Sequence, residues 1–188
     1  MRLKFWLSCM LVFLSPSLYA HTGALLESGL ASGLLHPLTG IDHLLVLAAI
    51  GLMAVQQQGR ISYLLPLIFM ALVGVGIFAG FSGINFVFNE VMIALSVIVF
   101  GVALNFDKAK VGRSIGVGLS VFAVFHGYAH AAEIPGNVDV TQYLSGLMLA
   151  SLAIITVSGL IGCYVGKRYG HVLSVVCLGS GLYYLAAI

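Results

Sequence analysis

Residues 142–165 read QYLSGLMLASLAIITVSGLIGCYV and contain no charged side chain across 24 positions. The hydrocarbon core of a bilayer is spanned by about 20 apolar residues of α-helix, so this stretch predicts a transmembrane helix. The whole chain has the same character, because 61% of its 188 residues are hydrophobic and only 7% are charged. So few charges cannot cover a water-soluble domain. The composition predicts an all-α integral membrane protein and no nucleic-acid partner.

Working outward from this helix, the hydropathy predicts six spans, at residues 37–55, 61–81, 86–105, 114–133, 142–165 and 171–187. Residues 24–35 are also apolar. Joined to the first span, they would make about 30 residues, or about 45 Å of helix, which is too long for one straight crossing. Proline is tolerated at the first position of a helix. We therefore expect Pro37 to begin the first span and residues 24–35 to form a short helix at the outer face.

The N-terminus has the pattern of a signal peptide. Arg2 and Lys4 form a basic region, residues 7–14 an apolar one, and cleavage is expected after Ala20. Residues 21–188 would then be a single six-helix transmembrane domain with His21 at its start. The alternative is an uncleaved first helix, although its apolar stretch is short for a span.

Charged residues predict the orientation of the bundle. The basic residues of residues 21–188 all fall in alternate loops: Arg60, Lys108, Lys110, Arg113, Lys167 and Arg168. The positive-inside rule makes these loops cytoplasmic. The opposite loops contain no Lys or Arg, and their charged residues are all acidic: Glu27, Glu90, Glu133 and Asp139. Both mature termini are therefore expected to lie outside the cytoplasm, in a multi-pass protein of the bacterial inner membrane.

Two motifs place ionisable side chains within predicted spans, where such groups are costly and usually functional. The first is residues 36–43, HPLTGIDH, with Asp42 and His43 in the second turn of the expected helix. The second is residues 125–133, FHGYAHAAE. His130 and Glu133 follow His126 by four and seven positions, so the three side chains share one helix face. Both motifs should lie at the same depth in the outer half of the membrane.

Imidazole and carboxylate groups together suit borderline divalent ions such as nickel, copper, cobalt or zinc. An i, i+4 histidine pair presents two nitrogens to one ion. Asp42 would either bind the ion or orient a ligating histidine. Glu90, near the outer start of the third span, is a further candidate ligand. The alternative is a structural network of buried polar groups with no ion.

The pairing of the two motifs resembles the HupE/UreJ family of small bacterial membrane proteins, which are regarded as nickel permeases associated with hydrogenase and urease. The likeness extends over the whole mature chain. It implies that the metal is handled at these positions: His36, Asp42, His43, His126, His130 and Glu133. Ala131 stands where glycine would be expected.

The resulting hypothesis is a plasma-membrane permease, not an enzyme, which captures nickel or another transition metal at an outer site. No nucleotide-binding P-loop motif occurs in the chain. Glycine-lined helix faces would permit a homo-oligomer. One alternative is a zinc-dependent intramembrane hydrolase, with Glu133 or Glu90 as general base. Another is a bis-histidine haem protein.

Overall fold

The protein is described by a computed structural model covering residues 29–57, 60–106 and 119–188. Four predicted features lie outside the described residues: the signal peptide (residues 1–20), Glu27, the basic residues of the loop after the third span, and the start of the fourth span. Within them the chain forms only helices: α1 Gly29–Thr39, α2 Ile41–Gln56, α3 Ile61–Phe81, α4 Asn89–Ala103, α5 Phe122–Ala132, α6 Val140–Val165 and α7 Lys167–Ala187. The predicted all-α fold is confirmed.

Three of these helices are long and apolar enough to cross a membrane, namely α3, α6 and α7 with 21, 26 and 21 residues. The pair α1 and α2 meets the same criteria when both helices are taken together. Helix α4 is apolar but has only 15 residues. Large apolar side chains are exposed on the outer helices, among them Phe78, Leu149 and Val175. A lipid environment accounts for such a surface.

The break in the first span lies at Gly40, and the expectation that Pro37 begins this span is wrong. Helix α1 continues through Pro37 to Thr39, and α2 then starts at an angle of 78° to it. Gly40 has an extended backbone, with φ −79° and ψ 104°, which ends the helical path. Its N–H still donates to the carbonyl of His36 over 3.1 Å. Proline removes one backbone hydrogen bond, but here it does not turn the chain.

Helix α2 is the centre of the bundle. It packs against α3, α4, α6 and α7, and every residue from Leu45 to Ala54 is buried. A helix that is apolar on all sides can lie buried at the centre of a bundle. This position places the first turn of α2, with Asp42 and His43, in the middle of one end of the bundle.

Glycines allow the helix backbones to approach closely. A Cβ atom built on Gly76 of α3 would overlap the carbonyl oxygen of Val124, and one on Gly127 of α5 would overlap that of Val73. Gly33 of α1 and Gly146 of α6 face each other in the same way. In a membrane, no hydrophobic effect drives helices together. Small residues at such contacts let the helices associate through close van der Waals packing instead.

The two ends of the bundle differ in charge. Gly170 lies near the side chains of Leu52 and Gln56, so the start of α7 adjoins the end of α2. Arg60, Lys167 and Arg168 belong to this end, whereas the opposite end carries all the acidic residues that the structure describes: Asp42, Glu90, Glu133 and Asp139.

We predict that Gly76→Ala destabilises the fold by about 1–3 kcal/mol, because the added methyl group overpacks the α3–α5 contact. Gly74→Ala is the matched control in the same helix, since a Cβ atom there has no neighbour within 4 Å. Thermal unfolding of the purified protein in detergent would show a lower Tm for Gly76→Ala alone. Equal melting temperatures for the two variants would contradict this account of the packing.

Candidate metal site

Four residues from both sequence motifs converge at the acidic end of the bundle. His36 lies in the last turn of α1, His43 in the first turn of α2, His130 in the last turn of α5, and Glu133 immediately after α5. Each offers one ligand atom, and these atoms all lie within 4.8 Å of one another. One ion could therefore contact several of them with small side-chain movements.

Asp42 determines which nitrogen of His43 is available. The Nδ1 atom of His43 lies 3.0 Å from Oδ1 of Asp42, and an ionised carboxylate can only accept a hydrogen bond. The neutral ring would then donate through Nδ1–H and keep its lone pair on Nε2. That Nε2 atom is buried and has no hydrogen-bond partner among the described residues. A carboxylate holding a ligating histidine in this way is typical of metal sites.

His130 occupies the centre of the cluster. Its ring centroid is 4.9 Å from that of His36 and 4.3 Å from that of His43. Its Nδ1 is a second buried nitrogen with no hydrogen-bond partner within the described part of the chain. Buried polar atoms are normally satisfied, so these two nitrogens are candidates for binding a ligand.

His36 and Glu133 form the outer part of the cluster. Nε2 of His36 lies 3.1 Å from Oε2 of Glu133, and the Glu133 side chain is 48% exposed. The ring of His36 also packs edge-on against Tyr143, with centroids 5.8 Å apart. An arriving ion would meet this carboxylate first, because the three other residues are more deeply buried.

His126 lies deeper and is held by α4. Ser96 donates its hydroxyl hydrogen to the carbonyl of Ile93 over 2.6 Å, so its oxygen must accept the hydrogen bond from Nε2–H of His126 at 2.8 Å. The neutral ring then keeps its lone pair on Nδ1. Its centroid is 4.8 Å from that of His43.

Comparison with known proteins places the chain in a family. The family model described as HupE / UreJ protein matches residues 9–187. The chain belongs to the HupE/UreJ family. Protein HupE of Rhizobium leguminosarum bv. viciae is 30% identical over 167 residues, which is 88% of this chain and 86% of that protein. No solved structure matches. The resemblance drawn from the two motifs is thereby confirmed.

The structure brings six of the seven predicted site residues of this HupE/UreJ member into contact or close proximity. His36, His43, His130 and Glu133 form the cluster. Asp42 is hydrogen-bonded to His43, and the ring of His126 lies next to that of His43 on the buried side. Glu90 is different: it is exposed in the first turn of α4 and is not one of the clustered residues. Ala131, where glycine was expected, packs against Gly80, so a glycine on α3 makes room for the methyl group.

Three polar residues near the site were missed by the sequence analysis. Ser96 bonds to His126, Tyr143 packs on His36, and Ser151 lines a cavity of about 10 Å³ beside His43, His126 and His130. Ser96 and Ser151 lie within long apolar runs. Serine there usually bonds within or across helices, so no sequence signal separates these two from the rest.

We predict that Asp42→Asn lowers the affinity for nickel or cobalt by about 10–100-fold, as expected for loss of the carboxylate behind a ligating histidine. The control is Asp139→Asn. Asp139 accepts the N–H of Gln142 at 2.8 Å to cap α6, and asparagine caps equally well. Isothermal titration calorimetry with nickel or cobalt measures the affinity of each purified variant and of the wild type. An Asp42→Asn protein that binds as tightly as wild type would contradict this role.

Proposed function

We propose that this protein is a transition-metal permease of the bacterial inner membrane, with nickel as its first candidate substrate. The observation that carries the proposal is the cluster of His36, His43, His130 and Glu133, with two buried nitrogens that lack hydrogen-bond partners. Membership of the HupE/UreJ family supports it. Cobalt, copper and zinc are the other candidates, because imidazole suits all of them.

The charges of the site fit a divalent cation. The histidines contribute neutral nitrogens when they ligate, and the carboxylates of Asp42 and Glu133 together supply two negative charges. A dipositive ion bound here would be neutralised locally. Burying an uncompensated charge in the bundle would otherwise be costly.

The orientation we propose follows from the two ends of the bundle. The end opposite the site carries Arg60, Lys167 and Arg168, and the positive-inside rule assigns such an end to the cytoplasm. The metal cluster would then open outward and collect ions there. Six spans with both termini outside complete this proposed topology.

Transport also requires a route inward, past the apolar side chains beside the histidines. Val46 and Phe69 line the small cavity beside the histidines, Phe100 packs against Phe69, and all three side chains are almost fully buried. The arrangement described here therefore corresponds to an ion-capturing state. Release would require these side chains or their helices to move, with binding weak enough to let the ion leave.

We propose that the imported metal supplies hydrogenase or urease maturation. The basis is the family resemblance, and nickel uptake would suit either enzyme. The chain itself would then act as a transporter and not as an enzyme.

We predict that His130→Ala reduces nickel uptake by metal-limited cells about tenfold or more, because it removes the central ligand of the cluster. His171→Ala is the matched control. His171 is exposed on α7, towards the basic end of the bundle, and its Nδ1 atom lies 3.4 Å from Oδ1 of Asn105. Uptake of radioactive nickel at equal membrane levels of each variant measures the effect.

Unchanged uptake by the His130→Ala cells would contradict the proposed site. Equal loss in both variants would also contradict it, since His171 contributes nothing to the cluster.

A further inference from the structure

The residues of the site differ in exposure. The Glu133 side chain is 48% exposed and that of His36 is 22% exposed. His43, His130 and His126 are only 5%, 3% and 2% exposed. Exposure therefore separates Glu133 and His36 from the three buried histidines.

Two sets of ligands share a pair of histidines. His36 and Glu133 lie on the outer side of His43 and His130, whereas His126 lies on their inner side, with its ring 4.8 Å from that of His43. His126 is not one of the four residues whose ligand atoms are mutually within 4.8 Å. The outer and inner sets are thus distinct, although His43 and His130 belong to both.

A small cavity adjoins the inner set. It has a volume of about 10 Å³ and is lined by His43, His126 and His130 together with Ser151 and apolar side chains. This volume corresponds to about one water molecule. The cavity could admit an ion that has lost its water shell, but not a hydrated one.

We propose that the metal ion occupies two successive positions, an outer one that includes Glu133 and a deeper one formed by His43, His126 and His130. The inference rests on the proposed permease function and adds a step to it. Because the positions share two ligands, one ion at a time moves from the first to the second. The deeper position takes a dehydrated, borderline divalent cation.

Ligand chemistry gives the deeper position its selectivity. Neutral imidazoles favour nickel, cobalt, copper and zinc, whereas magnesium and calcium require oxygen ligands. Asp42 provides the nearest negative charge, through its hydrogen bond to His43. Ser96 is the positioning residue, because its bond to Nε2–H of His126 leaves Nδ1 as the ligating atom.

The test compares variants of the purified full-length protein that remove one position each. His36→Gln/Glu133→Gln removes the outer position, and His126→Gln removes the deeper one while keeping an amide that can bond to Ser96. His171→Gln is the control for both. Cobalt is the probe, and X-ray absorption at the cobalt edge counts the imidazole ligands.

We expect the outer double variant to retain one cobalt with imidazole ligands and no carboxylate. The His126→Gln variant should bind cobalt within about threefold of wild type, as expected when no ligand of the outer position is lost, yet transport at least about tenfold more slowly. Ser96→Ala should reduce transport, and Ser96→Thr, which restores the hydroxyl, should rescue it.

Two results would overturn the deeper position. One is a folded outer double variant that binds no cobalt. The other is a His126→Gln protein whose transport equals that of wild type, or whose binding falls in proportion to its transport. A wild-type protein that moves no metal would instead refute the permease, and the cobalt spectra would still decide whether the deeper position exists.

Discussion

The break at Gly40 is the constraint on which the site depends. In a straight helix, residues 36 and 43 would be separated by about 10 Å along the axis. The 78° turn instead brings the rings of His36 and His43 to 5.8 Å. Helix α1 can keep this angle because Gly33 lets it lie directly against the backbone of α6. Close backbone packing between α1 and α6 therefore helps to set the geometry of the histidines.

Burial and orientation act together in the cluster. Each deep histidine lies among apolar side chains, where an unsatisfied nitrogen is costly. Asp42 and Ser96 each fix one ring nitrogen of a histidine and leave the other for a ligand. In the proposed permease, the outer carboxylate would attract the ion, and neutral inner imidazoles would bind it without adding charge. In this proposal, different residues of one cluster would serve the capture and the passage of the ion.

Much of this architecture could be predicted from the sequence, because apolar length and buried ionisable groups are strong signals in a membrane protein. Residues 61–81 were predicted as a helix and form α3 with the same bounds. The convergence of the two motifs followed from helix direction and periodicity. The position of the bend did not, since the effect of Pro37 depends on neighbours that sequence alone does not reveal. Ser96 and the exposure of Glu90 likewise depend on how α4 packs, which is a tertiary property.

We propose that this bundle moves a transition metal through its histidine cluster, and the decisive experiment is metal uptake by proteoliposomes that contain the purified full-length protein. Nickel, cobalt, copper and zinc would be offered singly and in competition, with protein-free liposomes as the control. We expect saturable accumulation of at least one of these ions, with nickel foremost. Accumulation of none of them, together with one tightly held zinc per chain and turnover of a lipid or peptide, would contradict the account and establish a membrane hydrolase instead.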